Sequence, residues 1–155
     1  SSIWAVTSAA ASATSFAFSA AGWAAAENTR VSALLTLQKS GGTITVLLED
    51  APECGSLSEF ADQVEQLAGY SYEGAEFDRT EAETYVELSA AVPDGRFVRI
   101  VMGEQDGLFY TLELCVSGKD AEQDIALFEE KFVPGVSFAY QQIDTLGSHD
   151  EETSN

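Results

Sequence analysis

Carboxylates, two thiols and one imidazole are the groups in this sequence that could act as acids, bases, nucleophiles or metal ligands. The 26 Asp and Glu residues cluster as Glu49, Asp50 and Glu53; Asp78, Glu81 and Glu83; Glu104 and Asp106; Asp120, Glu122 and Asp124; and Asp150, Glu151 and Glu152. Calcium takes roughly six to eight oxygen ligands, and its familiar loop alternates carboxylates around a central Gly and closes on a Glu. No stretch has that spacing, so the clusters read as solvated acidic surface and no metal site is expected. Paired carboxylates for glycoside hydrolysis must face each other across a cleft, and a sequence this rich in acids does not single out such a pair. His149, the only histidine, falls in the acidic tail. Its position removes the His/Cys zinc signatures and the Ser-His-Asp and Cys-His triads.

Cys54 and Cys115 are too few for a cysteine-rich zinc site. They leave two readings: one disulfide between them, closing a long loop, or two separate half-buried thiols. Gly103, Gly107 and Gly118 read as turn glycines, because no Gly-rich turn leads from a strand into a helix with Lys or Ser/Thr behind it. No cofactor is expected. Tyr70, Tyr72, Tyr85 and Tyr110 read either as a binding face or as half-buried packing with a wet hydroxyl.

The net charge of −19 and a pI near 4.1 repel phosphate backbones and anionic bilayers, so nucleic acid and anionic membranes are excluded as partners of the domain itself. A chain of 155 residues, 45% hydrophobic, is about one domain's worth and too apolar to be disordered. From Ser1 to Ala26 there is no charged residue, yet the run is too polar for a membrane helix and lacks the basic start of a signal peptide. It is expected to be either a linker following an export signal in a trimmed, mature product, or a loosely packed leader before the first strand. The expected organisation is a leader at 1–13, one domain at 14–140 and an acidic tail at 141–155.

Period-2 patterning predicts a three-strand meander from Glu83 to Val116. Arg96 to Met102 and Leu108 to Val116 flank the Gly103-Glu104-Gln105-Asp106-Gly107 segment, and Thr84, Val86, Leu88 and Ala90 lie upstream. A second hairpin is predicted from Val31 to Gln38 and Thr43 to Glu49. Weaker strand signals lie at Phe16-Ala17-Phe18, Tyr70 to Phe77 and Val136 to Tyr140. Ser56-Leu57-Ser58-Glu59 is a capping box for a helix over Leu57 to Ala68 closed by Gly69, with a stripe of Leu57, Phe60, Val64 and Leu67. A second helix is predicted from Ala121 to Phe132, capped by Asp120 with Gln123 in the reciprocal position and ended by Pro134-Gly135. Both stripes must bury against the sheet, giving an α+β domain with a mainly antiparallel sheet.

This order of elements and three stretches resemble the PsbP/Mog-type superfamily. They are Ser15-Phe16-Ala17-Phe18 with Gly22-Trp23, the helix Leu57 to Leu67, and Gly107 to Phe138, where Cys115-Val116-Ser117-Gly118 runs into a helix ending in Val136-Ser137-Phe138. The segment between Trp23 and Val31 departs from the pattern. The resemblance implies an α/β/α sandwich and protein interaction without a catalytic site; members include thylakoid-lumen photosystem subunits, a nuclear factor acting on a small GTPase, secretion-effector chaperones and exported bacterial lipoproteins. The leading expectation is therefore a non-enzymatic, extracytoplasmic protein-interaction domain. An intracellular chaperone or adaptor in the cytoplasm and a small carboxylate-dependent hydrolase are the alternatives. The contact face is expected where Tyr85, Glu87, Phe97, Arg99, Phe109, Thr111 and Glu113 share one side of the meander, with Tyr85, Phe97, Arg99 and Glu113 as its binding residues. The same face also reads as a solvent face or a helix-covered one, with Arg99 neutralising Glu87 or Glu113.

Overall fold

Alternating apolar and polar side chains build strands here, and two apolar helical stripes cover them. The computed structural model describes residues 18–105 and 107–134. In chain order the elements are β1 (Ala24–Ala26), β2 (Ala33–Lys39), β3 (Gly42–Glu49), α1 (Leu57–Ser71), β4 (Asp78–Glu81), β5 (Val86–Ala91), β6 (Phe97–Gln105), β7 (Leu108–Val116) and α2 (Ala121–Leu127), which continues into a π-helical turn, Phe128–Phe132. The strands form one seven-stranded sheet in the order β1-β2-β3-β7-β6-β5-β4, and every pairing is antiparallel. The predicted α+β class is what the structure shows.

Directly paired residues share a face, so the registers assign the two cores. Leu37, Ile44, Val46, Val101, Leu112, Leu114 and Val116 point to one side, where Phe18, Trp23, Phe128 and Phe132 cover them. Val86, Leu88, Val98, Ile100, Met102 and Phe109 point to the other, under Phe60, Ala61 and Ala68 of α1. Phe60 stacks on Phe109 at 4.5 Å between ring centroids. The sheet is thus enclosed between α1 and α2. Among the described residues no helix is long and apolar enough to cross a membrane.

Several boundaries differ from the sequence expectation. Helix α1 runs through Gly69 to Ser71 and is capped by the Tyr72 amide on Ala68 O, at 2.8 Å. Tyr70 is therefore helical, and the strand expected over Tyr70 to Phe77 is replaced by the end of α1, a turn at Gly74 and an irregular stretch before β4. The capping box forms in part: Ser56 Oγ accepts from the Glu59 amide at 3.2 Å, but the Glu59 carboxylate takes the Gly55 amide instead of that of Ser56. Phe18 lies in a helical turn, not a strand, and packs against Phe132 at 5.5 Å and Trp23 at 6.2 Å. The first strand comes after Trp23, where Gly22 at φ +95° reverses the chain. Val31 is fully exposed, and β2 begins two residues later. The leader, the strand expected at Val136 to Tyr140 and the acidic tail lie outside the described residues, as do Phe16 and Ala17.

Asp120 makes no side-chain cap on α2. It faces Lys39, whose Nζ sits 3.0 Å from Asp124 and 3.7 Å from Asp120, with the Lys39 and Asp124 side chains only 9% and 4% exposed. This pair fastens α2 to the β2–β3 hairpin, and removing one partner of such a pair costs roughly 3–5 kcal/mol. Elsewhere the excess of carboxylates repels itself in the folded chain. Raising ionic strength from about 0.01 M to about 1 M shortens the Debye length from ~30 to ~3 Å, so the melting temperature is expected to rise with sodium chloride. A fall would mean that the screened ion pairs outweigh the repulsion.

Candidate functional site

Between the β5–β6–β7 meander and the π-turn lies a cleft of about 700 Å³ lined by Tyr85, Glu87, Arg99, Tyr110, Glu129 and Val133 among others. Its origin is local. A π-turn, bonded from i to i+5, has more residues per turn than an α-helix and so a smaller angular step per residue. Here it keeps Phe128 and Phe132 fully buried, with their rings stacked 5.9 Å apart. The next side chain after each of them, Glu129 and Val133, lines the cleft. From the sheet, Glu87 on β5 pairs with Val101, and Arg99 on β6 pairs with Ser89 and Leu114, so Glu87 and Arg99 face the π-turn.

Arg99 organises the site. Its Nη1 is ion-paired with Glu129, its Nε is 3.1 Å from the Glu87 carboxylate, and its guanidinium lies 5.2 Å over the Phe97 ring. The Arg99 Nε is buried without a hydrogen bond, the Glu87 contact being ionic only. Tyr85 stands at the rim with 38% of its surface exposed, whereas Phe97 is half-buried against the α2-side core. Gly103 shapes the floor: a Cβ there would lie 2.3 Å from Cζ and Oη of Tyr110, so the ring crosses the strand where a side chain is missing.

Three of the four predicted binding residues, Tyr85, Phe97 and Arg99, lie on this side of the sheet. Glu113 does not, and neither do Phe109 and Thr111. The cause is the turn. A loop of five residues over 103–107 would pair Met102 with Leu108 and put Arg99 opposite Thr111. Instead β6 continues to Gln105, which pairs with Leu108, and Gly107 takes φ +82°. Every partner on β7 shifts by an odd number, and Glu113 passes to the α1 face. There it accepts from Arg30 at 2.9 Å and from the Tyr72 hydroxyl.

Glu129, Tyr110 and Val133 were absent from the predicted binding set, and Gly103 was assigned to a loop. The legible signal was Gly103 itself, because a lone glycine in an alternating strand marks a close approach. Cys54 and Cys115 are both free, half-buried thiols beside the α1-side core, which is the second of the two readings above. Burial pushes the Cys115 thiol up, and the Arg96 charge opposes that shift. Among the described residues no group of three or more His, Cys, Asp or Glu side chains is arranged to hold a metal.

No protein-family model and no curated protein sequence matches the chain. Solved structures similar to it include cyanobacterial PsbP from Synechocystis sp. PCC 6803, at 12% identity and TM-score 0.49, covering 71% of this chain and 78% of that one. The Ran-binding protein Mog1p of Saccharomyces cerevisiae is similar at 13% identity and TM-score 0.44, covering 80% and 82%. CalU16 from Micromonospora echinospora is similar at 11% identity and TM-score 0.33, covering 81% and 94%. The PsbP/Mog resemblance read in the sequence reappears here as a similarity of fold, and at these identities it says nothing of function.

On the α1 face, burial and the adjoining Glu113 carboxylate push the Tyr72 hydroxyl well above the ordinary tyrosine value of 10.0. Above that pH an unfolded chain releases the Tyr72 proton while the folded chain keeps it. The unfolded state then binds fewer protons, and stability falls as pH rises, by at most about 1.4 kcal/mol per pH unit for one group. Denaturation followed between pH ~9 and ~11 should show this decline, and Tyr72→Phe should make it shallower. Equal slopes in the two proteins would overturn the assignment.

Proposed function

We propose that this chain is a non-enzymatic protein-interaction domain that receives a positively charged segment of a partner protein in the cleft between β5–β6 and the π-turn. The observation that carries the reading is the state of Arg99: the guanidinium within the cleft is already engaged by Glu87 and Glu129. Two carboxylates face one guanidinium there, and with Tyr85 exposed at the rim the cleft is complementary to a basic, partly apolar segment. The overall charge of −19 adds a field that steers a cationic partner and makes its association salt-dependent. Exposed tyrosine beside arginine is a composition common in interface centres.

Engagement of Glu87 and Glu129 by one guanidinium also argues against the hydrolase alternative, in which such a pair would act as free acid and base. The uncharged Ser/Ala-rich stretch at 1–26 supports an extracytoplasmic setting. The two free thiols favour the reducing cytoplasm of an adaptor. The same cleft serves either compartment.

Selection of peptides from a random display library on the whole chain tests this. Enriched sequences should carry Lys or Arg next to an apolar residue. Tyr85→Ala should weaken their binding at least about tenfold, ~1.4 kcal/mol, at a nearly unchanged melting temperature. Enrichment of neutral or acidic sequences, or equal binding by the variant, would refute the proposal.

A further inference from the structure

Thr111 stands on the α1 face of the sheet, paired with Leu47 on β3 and Met102 on β6. It is only 3% exposed, and its Oγ1 is buried with no hydrogen-bond partner among the described residues. An unpaired buried hydroxyl is a cost to the fold, and this one lines a pocket of about 60 Å³ between α1 and the sheet. That volume has room for roughly four to six groups of water size. Val64, Leu67 and Ala68 of α1 form the pocket together with Glu49, Thr111 and Glu113 of the sheet. Thr111 and Glu113 are alternate residues of β7, and Glu49 pairs with Phe109, the preceding alternate position, so all three stand on one face.

Glu113 is already held by Arg30 and the Tyr72 hydroxyl. The half-buried Glu49 carboxylate has no hydrogen bond or ion pair among the described residues. Two carboxylates thus share the pocket with one guanidinium, that of Arg30, and Glu49 and Thr111 Oγ1 are the acceptors left to a ligand. An anion meets an excess of negative charge, and a neutral hydroxyl leaves that excess unbalanced. A guanidinium brings five donors to two acceptors, whereas an ammonium is compact and brings three. Its alkyl stem fits the apolar side chains of Val64 and Leu67. At the mouth Leu67 is 65% exposed, and Tyr70, three residues on along the same face of α1, is 78% exposed. A free amine would leave this apolar rim uncovered; a lysine carried on a peptide chain brings neighbours to cover it.

We propose that this pocket receives the side chain of one lysine of a protein partner, its ammonium between Glu49 and Thr111 Oγ1 and the adjoining partner residues on Leu67 and Tyr70. The site lies on the opposite face of the sheet from the cleft beside the π-turn and does not depend on the reading of that cleft. The Thr111 hydroxyl serves the partner and not the fold. Thr111→Val therefore relieves an unpaired polar group in the free chain and removes an acceptor from the complex.

The test is a nuclear magnetic resonance titration of the full chain with four probes: the blocked tripeptide acetyl-Leu-Lys-Leu-amide, the same peptide with arginine or norleucine at its centre, and n-butylammonium. The lysine peptide should give saturable shifts at Thr111, Leu67 and Tyr70. The arginine and norleucine peptides should bind about tenfold more weakly or worse, and n-butylammonium, which cannot cover the rim, about fivefold more weakly. Thr111→Val should weaken the lysine peptide at least about tenfold while its melting temperature stays level or rises. Glu49→Gln, a change at a half-buried position, should weaken the same peptide and provides the test if Thr111→Val does not fold. A lower melting temperature for Thr111→Val would show that the hydroxyl already serves the fold, and would overturn the proposal. So would equal binding by either variant, equal binding of the arginine or norleucine peptide, shifts spread evenly over the acidic surface, or no shifts at all. Binding of n-butylammonium as tight as that of the lysine peptide would assign the pocket to free amines and reject a protein partner there.

Discussion

Strand β7 lies in the middle of the sheet and is paired on both sides from Phe109 to Val116, with Gly42–Glu49 on one and Phe97–Gln105 on the other. The two halves of the fold meet on it: a β1–β2–β3 meander from the first half of the chain and a β4–β5–β6–β7 meander from the second. Its own side chains alternate between the two cores, Leu112, Leu114 and Val116 to one and Phe109 to the other. A slip of one residue on either side would expose one of these sets and bury polar groups. The position of both helices, and hence of the cleft, follows from the register of this strand.

On that frame a few cations tie layers together. The chain has 7 Lys and Arg residues against 26 acids, and several of the described ion pairs link separate parts of the fold. Lys39 joins β2 to α2; Arg79 on β4 reaches Asp62 and Glu65 of α1 at 2.7 and 3.1 Å; Arg30 reaches Glu113 on β7; and Arg99 joins β5 and β6 to the π-turn. The exposed ones among them contribute about 0–1 kcal/mol each, so their value lies more in fixing how elements sit than in total stability, whereas the buried Lys39–Asp124 pair is costly to break. Arg99 has the further effect of neutralising part of the cleft wall, where the two carboxylates of Glu87 and Glu129 face its one guanidinium. The cation that shapes the site is thereby distinct from the cation that the site is proposed to receive.

Much of this was legible in the sequence, and the part that was not has a common physical origin. Alternation over Val86–Val116 and the apolar stripes of α1 and α2 depend on side chains a few residues apart, and those elements appear where the patterns put them. The register between β6 and β7 is a different quantity. Glycine at Gly103 reads equally well as part of a five-residue loop or as a notch inside a longer strand, and only the notch carries the Tyr110 ring. That single ambiguity separated Glu113 from Arg99 and brought Tyr110 to the cleft instead. The π-turn was hidden for a similar reason, since Phe128 and Phe132 at a spacing of four fit an ordinary helical stripe. The Asp120 cap was lost to a contact with Lys39, 81 residues away in the chain, which no local pattern contains.

The central claim is therefore the register of β6 on β7, and cross-strand nuclear Overhauser effects measure it directly. The account predicts contacts from the Tyr110 ring protons to the α-protons of Gly103, which the ring current should shift upfield, together with contacts between Arg99 and Leu114 across the strands. Contacts pairing Arg99 with Thr111 and Phe97 with Glu113, and an unshifted Gly103, would contradict it.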